Sequence, residues 1–336
     1  MKSDKVKIGV IGSGYWGPNL IRNFSSLSNC EVKAIADLKV GRLEFVKNEF
    51  PGIETTDNYK DILNDPSIDA VCIATPVSTH KKFAVESLKA GKHVFVEKPM
   101  CANPEEAEEI LRTVEDSGLK FAVGHVFQFS PAVRAIKKLI DDKVIGEVFH
   151  ITSTRINLGP PQTEIDVIWD LGPHDFSILL YLLNEYPSKV VSFNSYFPYG
   201  FSKDDKRKLV NNSDIQLEFD SGVTSHIHLS WLSSNKTRLM QIFGSEGTIV
   251  YDEMLALDGK VKLYGKGIDN RIGAKDSESK NLTYQAGDIH IISLEQHEPL
   301  RMECEHFVNA ILNNTPLIND VKIGSEVIKI LDLVTI

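Results

Sequence analysis

The sequence is poor in cysteine and has no long apolar run. Its four cysteines, Cys30, Cys72, Cys101 and Cys304, lie far apart and form no Cys-x-x-Cys pair, which argues against a disulfide scaffold and against a structural zinc site. The longest run of mainly apolar residues, Phe176–Leu183, is too short to cross a bilayer, which takes about 20 residues. We therefore expect neither a membrane-spanning segment nor a bound metal.

The sequence also lacks an excess of basic residues. Lysine and arginine together number 37 and aspartate and glutamate 46, so the formal net charge is −9. Because affinity for DNA or RNA comes mainly from clustered lysine and arginine, we expect no nucleic-acid partner. The apolar stretch after Lys7 is short and is interrupted by Gly12 and Gly14, which is unlike a secretion signal. These features favour a soluble, cytoplasmic protein.

At 336 residues the chain is long enough for about two domains. In its first third, short apolar runs alternate with helical patterns, which predicts an α/β domain with a doubly wound parallel sheet at residues 1–123. The predicted strands are Val6–Ile11, Glu31–Ala36, Ala70–Ala74, His93–Val96 and Lys120–Val123. The predicted helices are Trp16–Ser26, Val40–Glu49, Thr79–Lys89 and Pro104–Ser117.

From residue 124 onward most of the predicted elements are strands. These strands are Val148–Arg155, Lys189–Tyr196, Ile215–Phe219, Val223–Ser230, Thr237–Phe243 and Thr248–Tyr251. The predicted helices are Ala132–Ile140, Pro173–Leu183, Leu300–Leu312 and Ile323–Leu333. Asp220-Ser221-Gly222 separates two alternating runs and predicts a hairpin. We therefore expect a second domain, of the α+β class with a mainly antiparallel sheet, at residues 124–336.

A glycine-rich motif directly after the first predicted strand predicts a dinucleotide site. Its six residues are Gly12-Ser13-Gly14-Tyr15-Trp16-Gly17. The first glycine permits a tight turn, the second lets the backbone approach a pyrophosphate, and the third lets helix and strand pack closely. The N-terminus of the next helix then offers free N–H groups and its dipole to the phosphates. We therefore predict a Rossmann domain in which these six residues bind the cofactor.

Asp37 ends the second predicted strand and bears on the choice of cofactor. A carboxylate there accepts hydrogen bonds from ribose hydroxyls and repels a 2′-phosphate, which favours NAD over NADP. Lys39 and Arg42 follow closely and leave NADP open, because a basic side chain softens that repulsion. A further role for Asp37 as a helix cap is compatible with ribose binding.

Two more segments follow strands whose carboxyl ends border the cofactor crevice of such a sheet. The first of these segments follows the predicted strand Ala70–Ala74, and we predict that it contacts the cofactor through Thr75, Pro76, Thr79 and His80. A hydroxyl of this segment also suits the N-cap of the following helix. The next strand ends at Glu97-Lys98-Pro99, where Glu97 and Lys98 are predicted to lie beside the nicotinamide and the lysine can polarise a hydroxyl or carbonyl oxygen.

The chain resembles the Gfo/Idh/MocA oxidoreductases. The glycine turn and Glu97-Lys98-Pro99 carry the resemblance together with Asp170-Leu171-Gly172-Pro173-His174-Asp175, and Phe243–Gly247 and Glu303–Phe307 extend it more weakly. It implies a Rossmann domain and a C-terminal domain with an open mixed sheet, whose outer face commonly forms a homodimer or homotetramer interface. It also implies a small-molecule substrate that is a sugar, a polyol or a nucleotide sugar.

The resemblance further implies three catalytic residues. Lys98 matches the lysine that orients the substrate, His174 the general acid/base, and Asp170 the carboxylate partner of that base. Histidine, with a pKa near neutral, suits removal of a proton from a secondary alcohol. Pro173 is typical of a first helical turn, which leaves open whether Asp170 and His174 share a helix face. An ordinary core histidine and a helix-capping aspartate are the alternatives.

Arg155 and Asn157 are predicted to contact the substrate together with Lys98, Asp170 and His174, since arginine suits bidentate binding of a carboxylate or pyrophosphate. This region resembles the branch that oxidises C3 of UDP-N-acetylglucosamine or its uronic acid in polysaccharide biosynthesis. The leading hypothesis is an NAD-dependent dehydrogenase of a UDP-N-acetyl-hexosamine or its uronate. The alternatives are a dehydrogenase of a free sugar or polyol such as inositol, an NAD-assisted glycosidase, and a non-catalytic regulator that binds NAD or a sugar.

Overall fold

The protein is described from a computed structural model. The structure describes residues 5–159, 165–197, 209–265, 268–269, 283–284 and 287–335. The chain forms two compact units, which are Met1–Ser130 with His297–Asp332 and Pro131–Gln296 with Leu333–Ile336. Within the described ranges, no helix is both long enough and apolar enough to pass through a membrane.

Six parallel strands form the sheet of the first unit. The strands are β1 (Val6–Ile11), β2 (Cys30–Ala36), β3 (Glu54–Thr56), β4 (Ala70–Ile73), β5 (His93–Val96) and β6 (Phe121–Val123). The helices that connect them are α1 (Gly17–Ser25), α2 (Val40–Glu49), α3 (Tyr59–Asn64), α4 (His80–Lys89) and α5 (Pro104–Ser117). The strand order β3-β2-β1-β4-β5-β6 reverses between β1 and β4, which confirms the doubly wound Rossmann sheet and places its crevice at the carboxyl ends of these strands.

Local signals explain why most of these elements agree with the prediction. Residues Ala70–Ile73 of β4 are fully buried, as expected for a strand with helices on both faces of its sheet. α5 begins at Pro104 because the Asn103 side chain caps it by accepting a hydrogen bond from the Glu106 amide at 2.9 Å. β3 and α3 were not predicted, since Glu54–Thr56 contains no apolar residue that would mark a strand.

The second unit is built on a larger sheet. Its strands and those of a small hairpin are β7 (Val148–Leu158), β8 (Pro187–Ser195), β9 (Asn212–Phe219), β10 (Thr224–Ser230), β11 (Leu232–Gly244), β12 (Gly247–Asp252), β13 (Val261–Gly265), β14 (Ile268–Asp269), β15 (Thr283–Tyr284) and β16 (Ile289–Ile291). Its helices are α6 (Pro131–Asp141) and α7 (Val167–Leu183). The sheet order is β16-β13-β12-β11-β7-β10-β9-β8, with β14 and β15 paired separately. All adjacent strands in the large sheet are antiparallel except β7 and β10, which confirms the expected mainly antiparallel architecture.

One face of the large sheet is covered. Along β7, Ile151, Ser153 and Arg155 are buried, while the residues between them are partly exposed. α7 packs against β9 and β10.

The predicted hairpin between β9 and β10 is confirmed: Gly222 has φ +87°, a left-handed conformation that favours glycine.

The last two helices, α8 (Pro299–Asn313) and α9 (Val321–Thr335), change the expected domain division. α8 packs on α1 and β1, and the ring of Phe307 lies 5.7 Å from that of Phe95 and 6.4 Å from that of Phe24 between centroids. α8 therefore completes the core of the first unit. The observed division at Ser130 and His297 thus differs from the predicted boundary between residues 123 and 124, because the apolar face of a terminal helix does not reveal which core it covers.

Candidate active site

Two positions of the glycine turn between β1 and α1 are too crowded for any residue with a Cβ atom. Gly12 has φ +95°, and a Cβ atom there would lie 2.7 Å from the carbonyl oxygen of Ala74. A Cβ atom on Gly17 would lie 2.6 Å from the carbonyl oxygen of Gly12. A Cβ atom on Gly14 would have the guanidinium of Arg42 as its nearest contact, at 3.5 Å. The turn therefore presents the N-terminus of α1 at the carboxyl edge of β1, a cradle that fits the pyrophosphate of NAD.

The side chains of the glycine turn differ in their exposure. Ser13 is buried and donates both its amide and its hydroxyl hydrogen to Asp37, as described below. Tyr15 and Trp16 are 93% and 37% exposed, and their rings stack with centroids 6.3 Å apart. The two aromatic side chains therefore contribute surface at the mouth of the cradle and little to the core of the first unit.

Asp37 is held by four hydrogen bonds at the end of β2. Its Oδ2 accepts from the amide of Ser13 at 2.8 Å, from the Ser13 hydroxyl at 3.2 Å and from Arg42 at 3.2 Å, and its Oδ1 accepts from the amide of Lys39 at 2.9 Å. Burial raises the pKa of Asp37, but these hydrogen bonds and the charge of Arg42 outweigh burial and lower the pKa below its ordinary value. The carboxylate is therefore ionised and its Oδ1 retains acceptor capacity for a ribose hydroxyl.

The segment after β4 is connected to the segment after β5 by His80. The ring nitrogens Nδ1 and Nε2 of His80 lie 2.8 Å from the carbonyl oxygen of Pro99 and 2.7 Å from that of Thr75. The Thr79 hydroxyl lies 2.7 Å from the carbonyl oxygen of Pro76. His80 is 1% exposed, and burial lowers its pKa. The structure thus buries His80 between these two segments, with both ring nitrogens next to backbone carbonyl oxygens, while the cofactor contact expected from the sequence stays a prediction.

Glu97 and Lys98 follow β5 at the same edge of the sheet. Burial raises the pKa of Glu97 to about 7, although the charge of Lys98 and hydrogen bonds from the Lys98 amide and the Trp16 side chain oppose the shift. A Cβ atom on Gly124 would lie 3.0 Å from Glu97 Oε2, so a glycine after β6 makes room for the carboxyl group. Burial and, to a lesser extent, the charge of Lys98 lower the pKa of His125 to about 3. Lys98 therefore lies near a histidine that stays neutral and a carboxyl group that titrates near neutrality.

In the second unit, the helix that carries Asp170 and His174 begins six residues earlier than predicted. Asp166 is its N-cap and accepts a hydrogen bond from the amide of Trp169 at 2.9 Å. Pro173 therefore lies inside α7, and the expectation that it begins the helix is wrong, because a local capping signal upstream outweighs the preference of proline for the first turn. Asp170 lies in the first turn of α7 and is not its cap.

The start of α7 places Asp170 and His174 on one face of the helix. Residues four apart in a helix lie on the same side, one turn from each other. From Val167 to Leu180, α7 is buried except for Trp169, Asp170 and His174. The accessible stripe of this helix therefore includes a carboxylate and an imidazole one turn apart.

Arg155 does not occupy the position expected of a substrate contact. Its side chain is buried, and its Nε donates to Asp175 Oδ2 at 2.6 Å while its NH1 group lies 3.2 Å from Glu253 Oε2. Burial lowers the pKa of Arg155, but the two carboxylates outweigh burial and raise it. Arg155 thus anchors α7 to the covered face of the sheet, since strand residues of that face point into the core.

A cavity of about 470 Å³ opens beside Asp170. Its lining residues are Asn157, Leu158, Asp170, Leu171, Ser234, Lys236 and Arg238. The cavity brings the predicted residues Asn157 and Asp170 together and adds Lys236 and Arg238, which sequence reasoning missed. The signal that could have found them is the polar run Ser233–Lys236, which interrupts the apolar alternation of β11. Among the described residues, no group of three or more histidine, cysteine, aspartate or glutamate side chains is arranged to hold a metal ion.

Comparison with known proteins agrees with this architecture. Residues 6–125 match the family described as "Oxidoreductase family, NAD-binding Rossmann fold", and residues 133–250 match the Gfo/Idh/MocA C-terminal domain. The chain is 27% identical to scyllo-inositol 2-dehydrogenase (NAD(+)) of Bacillus subtilis over 94% of this chain and 90% of that protein. It is 26% identical to myo-inositol 2-dehydrogenase of Thermotoga maritima over 74% of this chain and 76% of that protein.

Solved structures show the same fold. UDP-N-acetylglucosamine 3-dehydrogenase from Acidithiobacillus ferrooxidans superposes with a TM-score of 0.79 at 23% identity, over 98% of this chain and 96% of that one. One family match falls in each unit, and the glycine cradle and ionised Asp37 fit NAD as the cofactor. The chain belongs to the Gfo/Idh/MocA family of NAD-binding oxidoreductases.

Proposed function

We propose that the protein is an NAD-dependent dehydrogenase that oxidises a secondary alcohol of a sugar, at C3 of a UDP-N-acetyl-hexosamine or its uronate. The observation that carries the proposal is the pair of Asp170 and His174 on the accessible face of α7, with Asp170 in the wall of a cavity. When bound, NAD supplies the acceptor for the hydride of the carbinol carbon. His174 takes the hydroxyl proton. Asp170 orients the imidazole and stabilises the imidazolium that forms, and Lys98 orients the substrate oxygen.

A polyol such as inositol is the second candidate substrate. The relatives from Bacillus subtilis and Thermotoga maritima support it, because both are inositol dehydrogenases by name and match most of this chain. The nucleotide-sugar dehydrogenase of similar structure shares only 23% identity, so it supports the fold, while the nucleotide-sugar assignment rests on the motif resemblance. The same three residues would act on either substrate, since both reactions remove a proton and a hydride from one carbinol group.

The test is the absorbance of reduced nicotinamide after mixing the protein, in near-stoichiometric amount, with NAD and one sugar at a time. The panel contains UDP-N-acetylglucosamine, its uronate, myo-inositol and scyllo-inositol. We expect reduced cofactor to accumulate with a UDP-N-acetyl sugar. Accumulation of reduced cofactor with an inositol alone would mean that the substrate is a polyol and not a UDP sugar. Release of UDP from a UDP sugar without accumulation of reduced cofactor would favour an NAD-assisted glycosidase, and no reaction with any of the four sugars would favour a regulator.

We also propose that the protein forms a homodimer or homotetramer through its large sheet. Phe193 and Val191 of β8 are 68% and 38% exposed. Through their pairing with Asp214 and Gln216 of β9, they lie on the sheet face opposite the buried residues of β7. Exposed apolar residues on one sheet face are typical of an interaction surface. We expect light scattering to give a multiple of the 37.5 kDa chain mass; the mass of a single chain would contradict the proposal.

A further inference from the structure

An irregular segment of β11 forms one part of the cavity wall. In the pairing of β11 with β7, Leu232 lies opposite Leu158, whereas Thr237 lies opposite Ile156. The intervening segment of β11 is longer than that of β7, so the ladder is interrupted and the extra residues bulge. Bulges are common beside functional sites because they redirect side chains out of the regular pleat. Here the segment brings Ser234 and Lys236 to the cavity lining.

Arg238 is a buried cation whose hydrogen bonds all go to neutral oxygens. It is 8% exposed, and it donates to the carbonyl oxygens of Ile156 at 2.8 Å and Thr237 at 3.0 Å and to Asn157 Oδ1. Within the described part of the chain, no carboxylate lies within ion-pair distance of its guanidinium. This differs from Arg155, which holds both Asp175 and Glu253.

The electrostatic surroundings of Arg238 favour an additional anion. Burial and repulsion by Arg155 lower the pKa of Arg238, and attraction by Glu253, Asp175 and Asp170 at longer range only partly opposes this. A buried charge is costly unless it is paired. Guanidinium has five N–H donors, of which three are used here, so donors remain for a ligand.

Lys236 adds a second positive charge at the same cavity. Its side chain is exposed, and no ion pair ties it to any residue in the described ranges. A planar guanidinium beside a flexible ammonium is a combination that suits a carboxylate or a phosphate. The volume of about 470 Å³ is within the usual range for small-molecule sites.

We propose that Arg238 and Lys236 bind an oxyanion of the substrate in this cavity, so that the substrate is an anionic sugar and not a neutral polyol. This inference rests on the proposed function, since it takes the cavity beside Asp170 to be the substrate site. The oxyanion is the carboxylate of a uronate or a phosphate of a nucleotide sugar. Arg238 supplies fixed donors at the cavity wall, and Lys236 supplies the charge at its opening.

The test compares Lys236→Ala with Lys262→Ala, which removes the same charge from β13 of the same sheet outside the cavity. Dissociation constants are measured by calorimetry without cofactor, for UDP-N-acetylglucosamine, its uronate and myo-inositol. We expect Lys236→Ala to weaken binding of the anionic sugar by about 10-fold, the effect of losing one charged hydrogen bond. Lys236→Arg should retain the affinity, and Lys262→Ala should leave it unchanged.

The pattern of losses identifies the oxyanion. Weaker binding of both UDP sugars to Lys236→Ala supports recognition of phosphate, and weaker binding of the uronate alone supports recognition of the carboxylate. Unchanged binding of both, or an equal loss for myo-inositol, would overturn the inference. If inositol is oxidised and Lys236→Ala has no effect, a dehydrogenase remains and the oxyanion site is refuted. If an anionic sugar binds through Lys236 but is never oxidised, the oxyanion site remains and the proposed reaction is refuted.

Discussion

Replacing His174 by alanine is expected to lower kcat for alcohol oxidation by about 10²- to 10⁴-fold, the usual contribution of a general base. His174 lies on the accessible stripe of α7, one turn after Asp170. Without the imidazole, water would have to take the hydroxyl proton while the carbon–hydrogen bond breaks, and water is a much weaker base. The rate is measured as the appearance of reduced nicotinamide at saturating NAD and sugar.

His226→Ala is the matched control for this experiment. His226 belongs to the same unit, its side chain is 42% exposed, and it lies 3.3 Å from Asp214 on the large sheet, away from α7. We expect its kcat to equal that of the wild type, with KM also unchanged. A His174→Ala protein that turns over within about threefold of the wild type at every pH would show that the proton goes elsewhere.

Replacing Asp175 by alanine is expected to destabilise the second unit by about 3–5 kcal/mol, the usual cost of breaking a buried ion pair by removing one of its partners. Asp175 is fully buried, its Oδ2 lies 2.6 Å from Arg155 Nε, and its Oδ1 accepts from the Ser153 hydroxyl at 2.6 Å. Removing this carboxylate takes away the 2.6 Å ion pair of the guanidinium, while the longer contact with Glu253 at 3.2 Å is retained. The change is measured as the free energy of unfolding in urea.

The matched control for the buried pair is the exposed pair of Lys189 and Glu218 in the same unit. The two side chains are 60% and 54% exposed and 3.0 Å apart, so Glu218→Ala should cost less than about 1 kcal/mol. Equal losses from the two substitutions would mean that burial does not set the strength of the Arg155–Asp175 pair. Since Asp175 directly follows His174, this pair also fixes the rotation of α7 that keeps His174 on the accessible face.

The agreement between predicted and observed elements is best where the signal is local. β1, α2, β5 and α5 have the bounds that the sequence predicts, because apolar runs and capping residues lie within a few positions of the ends they define. α7 shows the opposite case. Pro173 was expected at its first turn, but Asp166 caps the helix earlier, and packing of the following apolar residues holds a proline in the helix interior.

The candidate site divides in the same way. The glycine turn could be predicted because Gly12 and Gly17 are needed by contacts within one βα unit. The role of Arg155 could not be predicted, because its partner Asp175 is 20 positions away in sequence. The cavity residues Lys236 and Arg238 were missed for a related reason: the polar run Ser233–Lys236 marks an irregularity in β11, but it does not reveal which residues of other elements that segment meets.

By itself, the sequence determined the Rossmann sheet, the glycine cradle and acidic residue that fit NAD, and the kinship that names Lys98, Asp170 and His174. These depend on backbone conformation and on residue types at short spacing. Only the tertiary structure decided that α8 completes the first core, that Arg155 is an anchor and that two cations line a cavity beside Asp170. The physical reason is that a charge or an apolar face acquires its role from its partner, and partners distant in sequence meet only when the chain folds.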